Sequence, residues 1–294
     1  MPLLMEKGDS MLIDDVVDFC DYEYHNHVCG SCNREHLCRH DCKACLDDLH
    51  YHTNRIRSDY SCEHLLDYYE CRYSHKYCSE MIYALGNVDL SVYPRFNILS
   101  LGCGGAPDLM AFDYLNPGQI INYRGIDINT HWAKIHDFIS ENFDKGSVKF
   151  FRDVDVLEFF NDNTIERCNV ICIEYLISFF YSRVGIRGVR RWFRQLAEQI
   201  VAYKPADSPM LIIINDVDSI NTGRDAFPIL REEIENIGLE VTSEYRCRFK
   251  DHNYYSGSVR YSSQANIFLL PETYKDQYKV AIRCESAQLI LEVR

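Results

Sequence analysis

The chain has 294 residues, 47% of them hydrophobic and 26% charged, which excludes a disordered polymer and leaves room for a large core. Forty-four acids against 31 bases give a net charge of −13, which excludes a nucleic-acid binder that works by bulk positive charge. No apolar run approaches the roughly 18–20 residues of a membrane helix, and the opening residues lack the basic and apolar segments of a signal peptide, so a cytoplasmic protein is expected.

Along the chain, cysteine and histidine dominate first. Nine of the fourteen cysteines fall between Cys20 and Cys78, and eight of the eleven histidines between His25 and His75. Disulfides need an oxidising compartment and give no reason for histidine to gather beside cysteine; zinc does, because it takes thiolate and imidazole ligands. Two C-x2-C pairs, Cys29/Cys32 and Cys42/Cys45, can complete one four-cysteine site. Cys62, Cys71, His75 and Cys78 form a second group, with Cys20, Cys38, His40, His50 and His52 as alternative ligands. Two structural zinc ions are therefore expected. Cys38-x3-Cys42-x2-Cys45 also has the spacing of a radical-enzyme iron–sulfur motif, but little chain separates it from the next region. The plainer alternative is a set of reduced, buried cysteines. Residues 1–90 show no long helical or strand pattern, so metal is expected to supply their stability. Their 17 acids and 8 bases suit a protein contact or a structural lid.

From about residue 91 the pattern changes. Apolar runs at 96–101, 122–126, 148–151, 169–173, 210–214, 240–245, 265–270 and 289–293 read as strands. Helical periodicity at 131–143 and 187–202 falls between them. This alternation predicts an α/β fold, a doubly wound and mostly parallel sheet, with an antiparallel edge among the later strands. With a boundary near residues 87–95, the expected organisation is a small zinc-stabilised module, 1–90, and a larger domain, 91–294.

Residues 97–108 read NILSLGCGGAPD: an apolar strand runs straight into Gly102-Cys103-Gly104-Gly105, and Pro107 suits the first turn of a helix. About twenty residues on, a second strand ends in Asp127, where an acid in such sheets bonds ribose hydroxyls. LSLGCGGAPD followed by YRGIDIN resembles the first two motifs of class I S-adenosylmethionine-dependent methyltransferases, and the resemblance extends over roughly residues 93–294. It implies a Rossmann-like fold and S-adenosylmethionine as cofactor. Gly102, Gly104 and Gly105 would wrap the methionine part, Asp127 the ribose, and Ile128 would lie against adenine. Asp155, or else Asp153, would meet the adenine amino group. Two positions depart from the family: Ser100 stands where an acid is common, with Asp108 as its replacement, and Ala106 stands at a third glycine. A nicotinamide dinucleotide fold fits less well, because its final glycine is absent.

The strand ends nearest a methyl acceptor offer Glu174 and Tyr175, then Asn215 and Asp216, as catalytic candidates. The Asn/Asp-Pro-Pro-aromatic motif of many amine-methylating nucleic-acid enzymes is absent, since the chain reads IEYLISFF there. Arg187, Arg190, Arg191 and Arg194 share one face of a helix opposite Val189, Trp192, Leu196 and Ile200. That face suits a phosphate-bearing partner or a solvated surface. Tyr254 and Tyr255, in a cluster at 246–264, could stack on a base. The expected function is methyl transfer to a macromolecule, RNA ahead of protein. The alternatives are a non-catalytic zinc-containing scaffold and a small-molecule methyltransferase.

Overall fold

The computed structural model describes residues 11–26, 41–51, 60–206, 208–219, 222–249, 259–260 and 273–294. Aliphatic runs within them form β1 (Phe96–Leu101), β2 (Ile121–Asp127), β3 (Gly146–Arg152), β4 (Val170–Glu174), β5 (Met210–Val217), β6 (Val241–Arg248), the two-residue β7 (Val259–Arg260) and β8 (Ser286–Val293). Hydrogen bonds order them β3-β2-β1-β4-β5-β8-β6-β7. Strands β1 to β5 are mutually parallel. The chain starts in the middle at β1, winds out to β3 and returns to β4. That reversal opens a crevice at the carboxyl ends of β1 and β4, where open α/β sheets bind ligands. The antiparallel strand is β8, and it lies between β5 and β6 rather than at an edge. The run at 265–270 lies outside the described residues.

The helices are α1 (Leu12–Asn26), α2 (Cys42–Tyr51), α3 (Glu63–Leu85), α4 (Pro107–Leu115), α5 (Ala133–Asn142), α6 (Phe159–Asp162), α7 (Ile177–Tyr203) and α8 (Phe227–Asn236). Side chains alternate across a strand, so each strand feeds two cores. Ile98, Val170, Cys172, Leu211 and Ile213 pack with α1 to α5, while Leu99, Ile171, Ile173, Ile212 and Ile214 pack with α6, α7 and α8. Helix α7 is two helices joined at Gly185, whose φ of 63° and ψ of 178° break the ladder; the periodicity at 187–202 belongs to its second half.

Two expectations for the first 90 residues need correction. Long helices are present: α1 has 15 residues and α3 has 23. Of the 23 residues of α3, 18 are buried, so no apolar stripe exists to betray it in the sequence. The second zinc group does not converge either. Cys62 precedes α3 while Cys71, His75 and Cys78 are strung along it. At 1.5 Å per residue, Cys62 and Cys78 stand about 24 Å apart, and zinc–sulfur bonds are about 2.3 Å. Cys71 instead donates to the carbonyl of Val17 at 3.8 Å, and Cys42 to that of His64 at 3.7 Å. The eleven described cysteines are all buried, Cys45 among them. Among the described residues no group of three or more His, Cys, Asp or Glu side chains could hold a metal ion. Cys29, Cys32 and Cys38 lie outside the described residues. Thiols here fill core positions, as small apolar side chains do. Leu12, Ile13, Val16 and Val17 of α1 and Leu65, Leu66 and Met81 of α3 share one core with Ile98, Phe112 and Ile121. No helix among the described residues is long and apolar enough to cross a membrane.

Candidate cofactor and active site

β1 leads directly into the glycine turn. The N–H groups of Gly102 and Cys103 both donate to the carbonyl of Ile126, at 2.8 and 3.0 Å, which ties the turn to β2. Gly104 has φ 49°, a left-handed conformation that favours glycine, and its N–H points at Asp127. His136 of α5 steadies the same residue, its Nε2 lying 2.7 Å from the carbonyl of Gly104. Burial drives its imidazole down to about 4, so the ring is neutral and can donate that hydrogen bond. Ala106 keeps the left-handed backbone (φ 63°) of a glycine, and Pro107 then opens α4.

Asp127, at the end of β2, is buried. Its Oδ2 accepts from Gly104 N at 2.9 Å and its Oδ1 from Asn129 N at 2.8 Å. Burial raises its carboxyl, and these two N–H groups oppose the rise. Ile128 next to it is 49% exposed, an apolar surface open beside a carboxylate. Asp155 stands after β3, where it accepts from Leu157 N at 3.0 Å and faces Arg183 of α7 at 3.3 Å. Ser100 and Asp108 are buried. Tyr123 donates to Asp108 Oδ1 at 2.9 Å, while Oδ2 has no partner, and burial raises this carboxyl. Asp108 therefore sits under the turn, against the sheet, and does not stand in for an acid at position 100.

Strand parity separates the catalytic candidates. Glu174 follows Val170 and Cys172 onto the α3–α4 face, with Asn215 beside it at 3.3 Å. Burial, then the charge of Asp108, hold the Glu174 carboxyl well above its ordinary range; Asn215 opposes this and Glu80 adds to it. Tyr175 adopts a left-handed φ of 52°, the kind of backbone strain found at functional sites, and its hydroxyl donates to Glu80 at 2.7 Å. Asp216 falls on the opposite face. It accepts from the backbone N–H groups of Ile177 (2.7 Å), Ser178 (3.1 Å) and Val217 (2.7 Å). It caps α7 and lies on the face of the sheet away from Glu174, while its charge still acts on Tyr175. Burial lifts its carboxyl to about 6.

Helix α3, which the sequence reading missed, crosses the carboxyl edge of the sheet. Its Tyr69 lies 6.0 Å from Trp132 beyond β2, and its Tyr77 lies 4.5 Å from Tyr175 beyond β4. Tyr69, Tyr73 and Tyr77, spaced four apart, were the available signal. Between them Glu70 places its carboxylate over Gly105, where any β carbon would collide with it. Leu176 crowds Gly102 in a similar way, while Trp132 stands at ordinary contact distance from Gly104.

The arginine face is partly engaged. Arg190 pairs with Glu232 and Glu233 of α8, both at 2.9 Å, and Arg194 with Glu233 at 2.9 Å. Arg187 and Arg191 are exposed. Tyr254 and Tyr255 lie outside the described residues. A separate small recess, lined by Arg224, Phe227, Pro228, Arg246, Arg248 and Gln288, opens by β6 and β8, away from the glycine turn.

No family model matches the chain, and no curated protein matches it. Solved structures do. The bifunctional kinase-methyltransferase WbdD is 15% identical over 75% of this chain with a TM-score of 0.40, and the chain spans 39% of its length. The plantazolicin methyltransferase BpumL, solved with SAH, is 11% identical with a TM-score of 0.44, covering 96% of this chain and 100% of that one. A SAM-dependent methyltransferase from Leishmania major is 12% identical with a TM-score of 0.40, covering 76% and 73%. At these values the likeness carries no argument, and both fold and function have to come from this chain's own residues.

Proposed function

We propose that the chain is an S-adenosylmethionine-dependent methyltransferase of the class I, Rossmann-like type. One observation carries this reading: Asp127 faces the glycine turn across the carboxyl ends of β1 and β2 and receives the turn's own Gly104 N–H. Each of its oxygens accepts one backbone hydrogen bond. A carboxylate has about four acceptor positions, so two remain for the vicinal hydroxyls of a ribose. Ile128, exposed beside it, suits an adenine face. Gly102, Gly104 and Gly105 form the backbone wall of the proposed site, Ser100 and Asp108 lie buried beneath that wall, and Asp155 closes the site beyond β3.

S-adenosylmethionine supplies a methyl group on a positively charged sulfur, open to in-line displacement. The chain's part is to orient the acceptor and exclude water. Burial raises the Glu174 carboxyl, and Asn215 Nδ2 donates to it at 3.3 Å, so its part is to orient an acceptor through hydrogen bonds. Tyr175, fixed by Glu80, forms the neighbouring wall. A macromolecule, RNA or protein, remains the proposed acceptor, with Arg187 and Arg191 as the exposed cations on α7. Zinc has no step in this proposal.

Calorimetry with S-adenosylmethionine and its demethylated product tests the reading. Wild-type protein should bind both. Asp127→Ala removes two charge-assisted hydrogen bonds of about 1.5–3 kcal/mol each, and should weaken both ligands by at least about 100-fold. Absence of binding to the wild type would leave the scaffold reading in place. Labelled-methyl transfer into RNA, protein and small-molecule fractions then identifies the acceptor.

A further inference from the structure

We infer that Glu70 of α3 is the counter-ion for the α-ammonium group at the methionine end of the cofactor. The inference rests on the function proposed above and deepens it by assigning a binding residue outside the sheet and its loops.

On the turn's own strand and helix, Ser100 carries no charge and Asp108 is held by Tyr123 beneath the turn. Helix α3 brings a carboxylate to the turn. Glu70 is 2% exposed, and Ser74, one turn further along, bonds its Oε2. Its Oε1 lies over Gly105. Gly105 does not have the left-handed backbone of Gly102 and Gly104, so what it requires is space, and Glu70 fills that space. A carboxylate is thereby held against the backbone segment that would wrap the methionine moiety.

The carboxylate also has an electrostatic demand. Among the described residues, the ion pairs of this region join Lys134 to Glu23 at 2.6 Å and to Asp67 at 3.8 Å, and they leave Glu70 out. Burial raises its carboxyl to about 7, Ser74 opposes the rise, and Asp67 adds to it. A buried acid beside a second acid favours an incoming cation, and a primary ammonium offers a charge with three donors. The adenosine half of the ligand lies with Asp127 and Ile128, so the two halves report on different residues.

The experiment compares S-adenosylmethionine with 5′-methylthioadenosine, which keeps the adenosine and sulfur but lacks the amino acid. Glu70→Gln should weaken S-adenosylmethionine about 10- to 100-fold, the loss of one charge-assisted contact, and leave methylthioadenosine unchanged. Glu70→Asp should recover part of the loss. Thermal melts establish that each variant is folded. Equal weakening of both ligands, or unchanged S-adenosylmethionine binding in Glu70→Gln, overturns the inference while the proposed function stands. Wild-type protein that binds neither ligand overturns both.

Discussion

Replacing Glu70 by glutamine should stabilise the free protein, and by an amount that depends on pH. The folded carboxyl sits at about 7 against an ordinary 4.5. Between those values the folded state keeps a proton that the unfolded state has lost, so stability falls as pH rises through this window. Each pH unit is worth about 1.4 kcal/mol, and the side chain is almost fully buried, so at pH 8 the ionised carboxylate costs the fold about 3 kcal/mol. Glutamine keeps the shape and never ionises. Urea unfolding of both proteins, followed by far-ultraviolet circular dichroism at pH 5, 6, 7 and 8, gives the difference directly. Glu70→Gln should exceed the wild type by less than about 1 kcal/mol at pH 5 and by about 3 kcal/mol at pH 8. His136 and Asp216 titrate in both proteins, so their contributions cancel in the comparison. A stability difference that stays constant with pH would refute the burial argument.

Two further substitutions separate structural from functional carboxylates. Asp216→Ala strands the N–H groups of Ile177, Ser178 and Val217 and should cost about 2–3 kcal/mol, lowering Tm while ligand affinity per folded molecule is kept; loss of ligand binding with Tm unchanged would refute the capping role. Gly105→Ala displaces the flexible Glu70 carboxylate from the turn. It should leave Tm within about 4 °C and weaken S-adenosylmethionine at least about tenfold in calorimetry, because the counter-ion has moved away.

The sheet was legible because strand periodicity survives in single residues. Ile212, Ile214 and Asp216 share one parity, and that alone assigns Asp216 to the α7 side and away from the acceptor. The glycine turn and Asp127 were legible for a related reason: tight backbone and a strand-end acid leave local marks. The first 90 residues misled because cysteine and histidine are metal ligands in one setting and core residues in another, and spacing alone does not separate the two when one long helix carries Cys71, His75 and Cys78. Helix α3 escaped because it is covered on all sides. The pairing of Arg190 and Arg194 with Glu232 and Glu233 was equally out of reach, since it joins two helices about forty residues apart.

Of the three buried carboxylates of α3, Glu70 and Glu80 lie ten residues apart, and their partners assign them different work. Glu80 receives four donors: the Tyr175 hydroxyl at 2.7 Å, Asn215 Nδ2 at 3.0 Å, and the N–H groups of Glu285 and Ser286 at 2.8 and 3.3 Å. A carboxylate so supplied is a lock. It joins α3 to the ends of β4 and β5 and to the start of β8, and it fixes the ring of Tyr175 at the proposed acceptor wall. Glu70 is bonded by Ser74 and faces Gly105, so burial there is costly in the free protein. Such a cost persists where the surrounding structure imposes it and a ligand offsets it. The lock at Glu80 is what imposes it, because it fixes the line of α3 across the sheet edge and hence the height of Glu70 above the turn. On this proposal the cofactor cradle is built by the first 90 residues as much as by the sheet.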